Sequence, residues 1–451
     1  MRTFKSTSTY IVTGLFILLA VLAFDGHREQ LLATTYKNYE ALKIFSDVLT
    51  IIQKNYVEQI DLKSLVYNAI KGMVANLDPH SSFMPPEMYK ELQVETKGSF
   101  GGLGLEITIK DGILTVVSPI EDTPADRAGI KPGDKIIKIE NDLTKDMSLM
   151  DAVKKMRGTP GTRIKITIFR EGFKEPREYS LNRDTIKIKS VKFKRLDNIL
   201  GYIRLAQFQE DTTREFKRAL KEIESGTPPL QGLIIDLRRD PGGLLDQAVN
   251  VSDEFLDSGL IVSTEGRVEN QQMKFYAKKK SERHDYPIVV LVNSGSASGS
   301  EIVAGALQDH RRAVIVGTQT FGKGTVQTII PLSDGSGLRL TTAKYYTPNH
   351  RSIQEKGITP DFIIEDKNKA DDSPAEKLPS LREKDLMNHF KGQGAVKEEK
   401  PQQEKAAVKQ PQIPVKKDSE DPPLDTAIEI LKQWKYYNKD NKWYPHSSEN
   451  A

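Results

Sequence analysis

The sequence has 451 residues, a formal net charge of +4 and no cysteine. Its length allows two or three domains of ordinary size, and its small charge gives no indication of a nucleic-acid partner. The absence of cysteine excludes disulfides, thiolate metal sites, cysteine nucleophiles and a lipoprotein anchor.

The N-terminus has the pattern of an export signal. Two basic residues, Arg2 and Lys5, precede an apolar run over residues 11–24, which is the order found in signal peptides. The run is shorter than the roughly 20 apolar residues of a full membrane span. Residues 1–30 are therefore predicted to be either a cleaved signal peptide or a retained anchor. The rest of the chain is expected in the periplasm or on the extracytoplasmic face of the inner membrane.

Three segments of different character follow, and together they predict an α/β multidomain fold. Residues 31–97 have apolar side chains at helical spacing, interrupted by a turn-rich break at residues 77–84. Residues 98–183 combine short strand patterns with two helices and predict a compact β-rich module. Residues 184–365 carry short apolar strands separated by helices, a pattern typical of a sheet covered on both faces and joined by crossover helices.

The C-terminal part changes composition again. Residues 366–423 consist largely of Lys, Glu, Asp, Gln and Pro. Their few apolar residues cannot offset the entropy cost of ordering, so a disordered linker is predicted. Residues 424–451 form the terminal segment, which begins with an amphipathic helix predicted from Leu424 to about Tyr437.

Ser298 lies in a turn of small residues between an apolar strand and an apolar helix. A hydroxyl at a helix N-terminus faces backbone N–H groups and the positive end of the helix dipole, both of which stabilise an oxyanion. From the residues alone, this turn is either a nucleophile site or an ordinary Gly/Ser loop in which Ser300 caps the helix.

Lys323 stands between Gly322 and Gly324. Burial would lower the pKa of this lysine, and the neutral amine would then serve as a base. A surface lysine and a phosphate-binding loop are the alternatives. In a phosphate-binding loop Ser or Thr would be needed where Gly324 stands, and a helix would follow instead of a strand.

Two adjacent glycines are further candidates for a binding role. Gly242 and Gly243 follow an apolar strand, and glycines at such a turn can aim backbone N–H groups at a ligand, although an ordinary turn has the same pattern. None of the seven histidines lies in a catalytic or metal-binding pattern. No metal, nucleotide or other cofactor is predicted.

Taken in order, these residues resemble the carboxy-terminal processing proteases, also called tail-specific proteases. This family consists of exported Ser–Lys endopeptidases that carry a PDZ domain. The resemblance covers about residues 40–365, and it rests on six motifs: Leu77-Asp78-Pro79-His80-Ser81-Ser82-Phe83-Met84, Gly101-Gly102-Leu103-Gly104, Gly201-Tyr202-Ile203-Arg204, Asp236-Leu237-Arg238 with Pro241-Gly242-Gly243, Gly295-Ser296-Ala297-Ser298, and Phe321-Gly322-Lys323-Gly324-Thr325-Val326-Gln327.

The resemblance implies a role for individual residues and a ClpP/crotonase-like sheet for residues 184–365. Ser298 corresponds to the nucleophile, Lys323 to the general base and Gln327 to the residue that supports the lysine. The implied oxyanion hole consists of backbone N–H groups of Gly242 or Gly243 together with Gly299.

Residues 98–183 resemble the family's PDZ domain. In a PDZ domain, a glycine-containing loop binds the C-terminal carboxylate of a peptide, which adds to the sheet as a further strand. The resemblance implies this role for Leu103, Gly104 and Leu105, and it implies protein or peptide substrates with apolar C-termini. A module that only packs against the active site and gates it is the alternative.

Two further partners are predicted, a gating partner and a second copy of the chain. The second copy is implied by the resemblance, since family members form oligomers through the region that corresponds to residues 31–97. The apolar stripes of that region are equally compatible with an intramolecular core.

Two residues depart from the family pattern. Gly299 stands where an alanine is usual, so the turn gains flexibility while its N–H is retained. Asp240 replaces an asparagine and places a carboxyl group near the implied oxyanion hole. Asp240 is expected to weaken oxyanion binding unless Arg238 or Arg239 neutralises its charge.

Lys323 and Gln327 pose a geometric question, since four residues of extended strand span roughly 13 Å. A bend at Gly324 is predicted to bring their side chains together. The predicted function is peptide-bond hydrolysis by an exported serine endopeptidase that binds substrate tails through its PDZ domain. A catalytically inactive PDZ scaffold, which would form no covalent adduct at Ser298, is the alternative.

Overall fold

The computed structural model describes residues 39–281, 284–365, 382–391 and 419–437. The chain divides into two compact units between Asn76 and Leu77. The predicted export segment, residues 1–30, and most of the predicted linker lie outside the described residues. Within the described ranges, no helix is long and apolar enough to cross a membrane.

The first unit is helical, as its apolar spacing predicts. Helix α1 occupies residues 39–55 and helix α2 Leu62–Ala75. The Asp61 carboxylate caps α2 by accepting the Ser64 N–H at 2.8 Å. Leu42, Phe45 and Ile51 on α1 are exposed, so this helix presents apolar side chains on its surface.

The second unit begins with a short strand and a helix and continues into the β-rich module. Most of the module's strands form one antiparallel sheet in the order β3-β4-β5-β7-β8, whereas β2 pairs with β9. The elements are β1 (Ser82–Met84), α3 (Pro86–Lys97), β2 (Ser99–Gly102), β3 (Leu105–Lys110), β4 (Ile113–Pro119), α4 (Pro124–Arg127), β5 (Lys135–Ile139), β6 (Asp142–Leu143), α5 (Leu149–Met156), β7 (Arg163–Phe169), β8 (Arg177–Asn182) and β9 (Asp184–Lys187).

A six-stranded sheet forms the centre of the following module. Its order is β10-β11-β12-β15-β16-β19, and all its neighbours are parallel except β10 and β11. The crossover helices α6, α7 and α8 pack in one apolar core with this sheet. The elements are β10 (Val191–Leu196), β11 (Leu200–Leu205), α6 (Thr212–Glu224), β12 (Gly232–Asp236), α7 (Leu245–Asp253), β13 (Leu260–Gly266), β14 (Lys274–Tyr276), β15 (Ile288–Val292), α8 (Gly299–Asp309), β16 (Ala313–Gly317), β17 (Thr325–Pro331), β18 (Gly337–Tyr346) and β19 (Phe362–Ile363).

A second sheet is organised around the long strand β18, which pairs with β1, β13 and β17. The sequence predicts only a turn-rich break at residues 77–84, and this prediction is wrong for residues 82–84. Phe83 and Met84 are each 4% exposed, and β1 gains backbone partners on β18 that no local pattern reveals.

The C-terminal helix α9 (Pro422–Tyr437) covers the second face of the central sheet. Ala427, Ile430 and Leu431 are buried against strand residues such as Ile234 and Val289. The predicted helix is therefore confirmed, and it completes the burial of strands that are apolar on both faces.

Residues 382–391 contradict the predicted disorder of residues 366–423. They include a 3-10 turn at Glu383–Asp385, and the Glu383 side chain is fully buried. Composition suggested a solvated linker, but specific polar partners on the core stabilise this short stretch.

Candidate active site

Ser298 lies at the sharp turn between β15 and α8. Its φ of +54° is in the left-handed region, which costs a non-glycine residue about 1–3 kcal/mol and is common at functional sites. A strained serine between a strand and a helix is the backbone arrangement of a nucleophile elbow.

The three serines of this turn have different surroundings. Ser296 is buried and donates its hydroxyl to the Leu237 carbonyl at 2.8 Å. Ser300 is also buried, and its hydroxyl donates to the Asp240 carbonyl at 3.0 Å. Of the three serines, Ser298 alone lines the cavity that also contains Lys323. The residue before α8 is Ser298, so the interpretation of Ser300 as the cap is wrong.

The cavity beside Ser298 has a volume of about 320 Å³ and brings together residues of three sequence motifs: the glycine turn after Pro241, the serine turn and the lysine loop. Its walls come from the loops after β11, β12, β15 and β16, from β17 and β18, and from helix α3. The implied catalytic and oxyanion residues that line it are Ser298, Lys323, Gln327, Gly242, Gly243 and Gly299.

Lys323 has the surroundings that a lysine base requires. Burial, reinforced by the positive charge of Arg339, lowers the pKa of Lys323 to about 8, against the opposing effect of Glu383 and Glu301. A substantial fraction of the amine is therefore neutral near pH 8. A lysine that loses its proton in this range is suited to general-base catalysis.

The Glu301 carboxylate connects the serine turn with the lysine loop. Oε2 accepts the N–H groups of Ser298 at 2.8 Å and Lys323 at 3.0 Å. Oε1 accepts the Gly322 N–H at 2.7 Å and the Thr320 hydroxyl at 2.6 Å. Burial raises the pKa of Glu301 to about 7, although these donors oppose the rise.

Tyr345 is a further site residue that the sequence interpretation missed. Its side chain is 2% exposed and lines the cavity. Its hydroxyl donates to the Lys323 carbonyl, and its backbone N–H donates to the Gly324 carbonyl at 3.0 Å. Burial raises the pKa of Tyr345, and a hydrogen bond with the Ser298 side chain opposes this rise.

Gln327 lines the same cavity as Lys323, but the hydrogen bonds of its side chain are to threonines. Its amide donates to the Thr325 hydroxyl at 3.0 Å and to the Thr341 hydroxyl at 3.3 Å. The irregularity in the pairing of β17 with β18 lies between Val326 and Gln327. The bend was predicted at Gly324, so the backbone irregularity lies further along the chain than expected.

The glycine turn after β12 packs directly against the serine turn. A Cβ added at Gly242 would lie 2.7 Å from the Gly299 nitrogen and 2.8 Å from the Ser298 Cβ, so only glycine fits. The Gly242 N–H donates to Asp240 Oδ1 at 2.8 Å. In the described part of the chain, the N–H groups of Gly243 and Gly299 have no such acceptor, which leaves both available to a bound oxygen.

Asp240 is fully buried, and burial raises its pKa to about 7 against the opposing Gly242 hydrogen bond. Its Oδ2 atom has no hydrogen-bond partner among the described residues. Arg238 forms ion pairs with Asp236 and Asp421, and Arg204 is the cation whose charge acts on Asp240. Near neutral pH, Asp240 is therefore partly protonated. The bound proton removes much of the negative charge that Arg238 or Arg239 was expected to neutralise.

The β-rich module has a second, smaller cavity of about 90 Å³ between β3 and α5. Leu103, Gly104 and Leu105 line it together with Val153 and Met156 of α5. Strand β3 lies at the edge of its sheet, so its outer side can pair with an added strand. The apolar lining suits an apolar side chain.

Some of the additional site residues leave a signal in the sequence. Ser298 and Glu301 have the Ser-x-x-Glu spacing of a helix capping box, so Glu301 was within reach of sequence interpretation. Arg339 and Tyr345 lie outside both motifs, on β18, and the antiparallel pairing of this strand with β17 brings them to the cavity. Among the described residues, no group of three or more His, Asp or Glu side chains could hold a metal ion.

Comparison with known families agrees with this arrangement. The description "Peptidase family S41" matches residues 199–364, "PDZ domain" matches residues 91–169, and "Activating protease CtpB N-terminal domain" matches residues 20–88. The first two matches confirm the predicted α/β architecture, with a PDZ domain that precedes a protease core.

Two relatives of known sequence are named as carboxy-terminal processing proteases. A carboxy-terminal-processing protease of Bartonella bacilliformis is 47% identical over 390 residues, which are 85% of this chain and 88% of the relative. The carboxy-terminal processing protease CtpA of Bacillus subtilis is 38% identical over 315 residues, 70% of this chain and 67% of the relative.

Among solved structures, a photosystem II D1 C-terminal processing protease is 32% identical, with a TM-score of 0.43, and the match covers 71% of this chain and 92% of that one. The family assignment rests on the two protein relatives, which are 47% and 38% identical over 85% and 70% of this chain. This chain belongs to the carboxy-terminal processing proteases, the PDZ-containing serine peptidases of family S41.

Proposed function

We propose that the protein is an exported Ser–Lys endopeptidase that binds the apolar C-terminal tail of its substrates in the PDZ groove. The observation that carries the proposal is the shared cavity of Ser298 and Lys323, in which burial lowers the pKa of the lysine to about 8. A neutral amine next to a hydroxyl at a helix N-terminus is the arrangement that activates a serine nucleophile.

The reaction begins when neutral Lys323 takes the proton of the Ser298 hydroxyl and Oγ attacks the peptide carbonyl. The N–H groups of Gly243 and Gly299 donate to the oxyanion, while Gly242 retains its bond to Asp240. Protonated Lys323 then gives its proton to the leaving amine, and water hydrolyses the acyl-enzyme. Gln327 contributes by holding the strand that follows the lysine.

Substrate capture occurs at a distance from the reacting atoms. The backbone around Leu103, Gly104 and Leu105 binds the terminal carboxylate, and the tail pairs with β3. The apolar cavity beneath this loop accepts the last side chain. Export through residues 1–30, a gating partner and an oligomer formed through the exposed apolar side chains of α1 belong to the same proposal.

Single substitutions test the dyad. Ser298→Ala and Lys323→Ala should each abolish cleavage of a purified protein with an apolar tail, while tail binding and the unfolding transition persist. Ser294→Ala in the same turn and Lys274→Ala on β14 are matched controls that should cleave normally. Full activity of either dyad variant would refute the Ser–Lys assignment.

A further inference from the structure

Residues 382–391, here called the strap, dock on the loop that carries Lys323. The Glu383 N–H donates to the Phe321 carbonyl at 3.1 Å, and the Glu383 side chain is fully buried. The strap follows the segment that matches the S41 family, residues 199–364. The strap therefore lies outside the segment that matches the peptidase family model.

Gln354 links the strap to the other side of Lys323. Its Oε1 accepts the Gly324 N–H at 2.9 Å. Its Nε2 donates to Glu383 Oε1 at 2.8 Å and to the Phe390 carbonyl at 2.9 Å. The backbone groups that flank Lys323 are thus anchored to the strap, directly on one side and through Gln354 on the other.

The strap itself has several attachments to the core. Glu383 Oε2 lies 2.7 Å from His80 Nε2, and His389 Nε2 lies 2.6 Å from Glu355 Oε1. The Lys344 ammonium donates to the Lys391 carbonyl at 3.1 Å. None of the described strap residues lines the cavity that holds Ser298 and Lys323, so the strap contacts the lysine loop without forming a wall of that cavity.

The charge of Glu383 also reaches the lysine. The charged groups that act on Lys323 are Arg339, which lowers its pKa, and Glu383, Glu301 and Asp78, which raise it. Removal of the Glu383 charge should therefore lower the pKa of Lys323 further. The His80 ring is hydrogen-bonded to Glu383, and the Glu383 charge also acts on Tyr345 and His389.

We propose that the strap is a working part of the active site and that Glu383 is its positioning residue, which holds the Lys323 loop in the geometry needed for proton transfer. The proposal rests on the proposed role of Lys323 as the base. A support of this kind acts on kcat, because a small displacement of a catalytic group slows the chemical step without changing tail capture.

The test uses the full chain and a fluorogenic peptide with an apolar C-terminal tail, with kcat and KM measured over a pH range that brackets 8. Glu383→Ala removes the acceptor and the charge, whereas Glu383→Gln removes the charge and keeps one acceptor oxygen. Met387→Ala is the matched control, since Met387 is 86% exposed on the same strap. Tail binding is measured for each variant in a Ser298→Ala background.

Glu383→Ala should lower kcat about 10- to 100-fold, with KM and tail binding unchanged and with Met387→Ala equal to the parent. Glu383→Gln should move the acid limb of the kcat profile to lower pH. A kcat for Glu383→Ala within about twofold of the parent overturns the proposal. If Glu383→Ala does not fold, an unmoved acid limb in Glu383→Gln overturns it instead.

Two further variants separate the possible failures. His80→Gln should keep the acid limb, and loss of that limb would assign it to His80 and refute the link to Lys323. Full activity of Lys323→Ala would refute the proposed function itself. Inactive Lys323→Ala together with parental Glu383 variants would refute the role of the strap alone.

Discussion

Glu301→Gln is the substitution that probes the connection between the serine turn and the lysine loop most sharply. The Glu301 carboxylate accepts four donors, two on each oxygen. Glutamine has almost the same shape but only one acceptor oxygen, and its NH₂ group is a donor. If the amide NH₂ group takes the place of Oε2, the N–H groups of Ser298 and Lys323 both face a donor. If it takes the place of Oε1, the Gly322 N–H faces a donor, whereas the Thr320 hydroxyl can turn and accept.

The magnitude follows from burial. Glu301 is fully buried, so water cannot replace the lost acceptor. Each buried donor left without a partner costs about 1–3 kcal/mol, so the one or two donors affected cost about 1–6 kcal/mol of unfolding free energy. If instead the loops separate to relieve the conflict, Ser298 and Lys323 lose alignment, and a displacement of about 1 Å lowers the rate about 100-fold.

Urea unfolding and peptide hydrolysis, measured on the same preparations, give both quantities. Glu222→Gln on the exposed surface of α6 is the matched control and should behave as the parent in both assays. Glu301→Gln with parental stability and parental kcat would refute the reasoning, since the four hydrogen bonds could not then hold the site together.

Three further predictions follow from the site and its surroundings. The kcat/KM of the parent should rise with pH and level off above about pH 8, because protonated Lys323 cannot accept the Ser298 proton; a pH profile without this rise would contradict the assignment. Asp240→Asn keeps an acceptor for the Gly242 N–H but cannot ionise, so the ratio of its kcat to that of the parent should increase as pH rises through about 7; a ratio independent of pH would show that the Asp240 charge does not reach the oxyanion hole. Leu431→Ala on α9 should lower the free energy of unfolding by about 2–5 kcal/mol in urea titrations, and an unchanged midpoint would show that α9 is not part of the folded core.

The sequence predicts those parts of the fold that local patterns encode. Apolar runs such as Ile288–Val292 identify strands of the central sheet, and residues 98–183 read as a β-rich module with two helices. The glycine and serine turns stand at strand ends, where their N–H groups and hydroxyls meet at one edge of the sheet. Family resemblance then selects Ser298 among three serines.

Long-range contacts are what the sequence does not encode locally. Strand β1 forms only because β18, about 250 residues later, supplies its partners. The strap has the composition of a linker, yet Gln354 and His80 stabilise its buried glutamate. In both cases a distant partner outweighs the local composition.

The account's central claim is that Lys323 activates Ser298 as the nucleophile. The most direct measurement is the rate at which a fluorophosphonate probe forms a covalent adduct, followed by intact mass and peptide mapping across pH. The account predicts one adduct, on Ser298, with a rate that rises toward about pH 8 and is lost in Lys323→Ala. An adduct at another residue, or an unchanged labelling rate in Lys323→Ala, would contradict the claim.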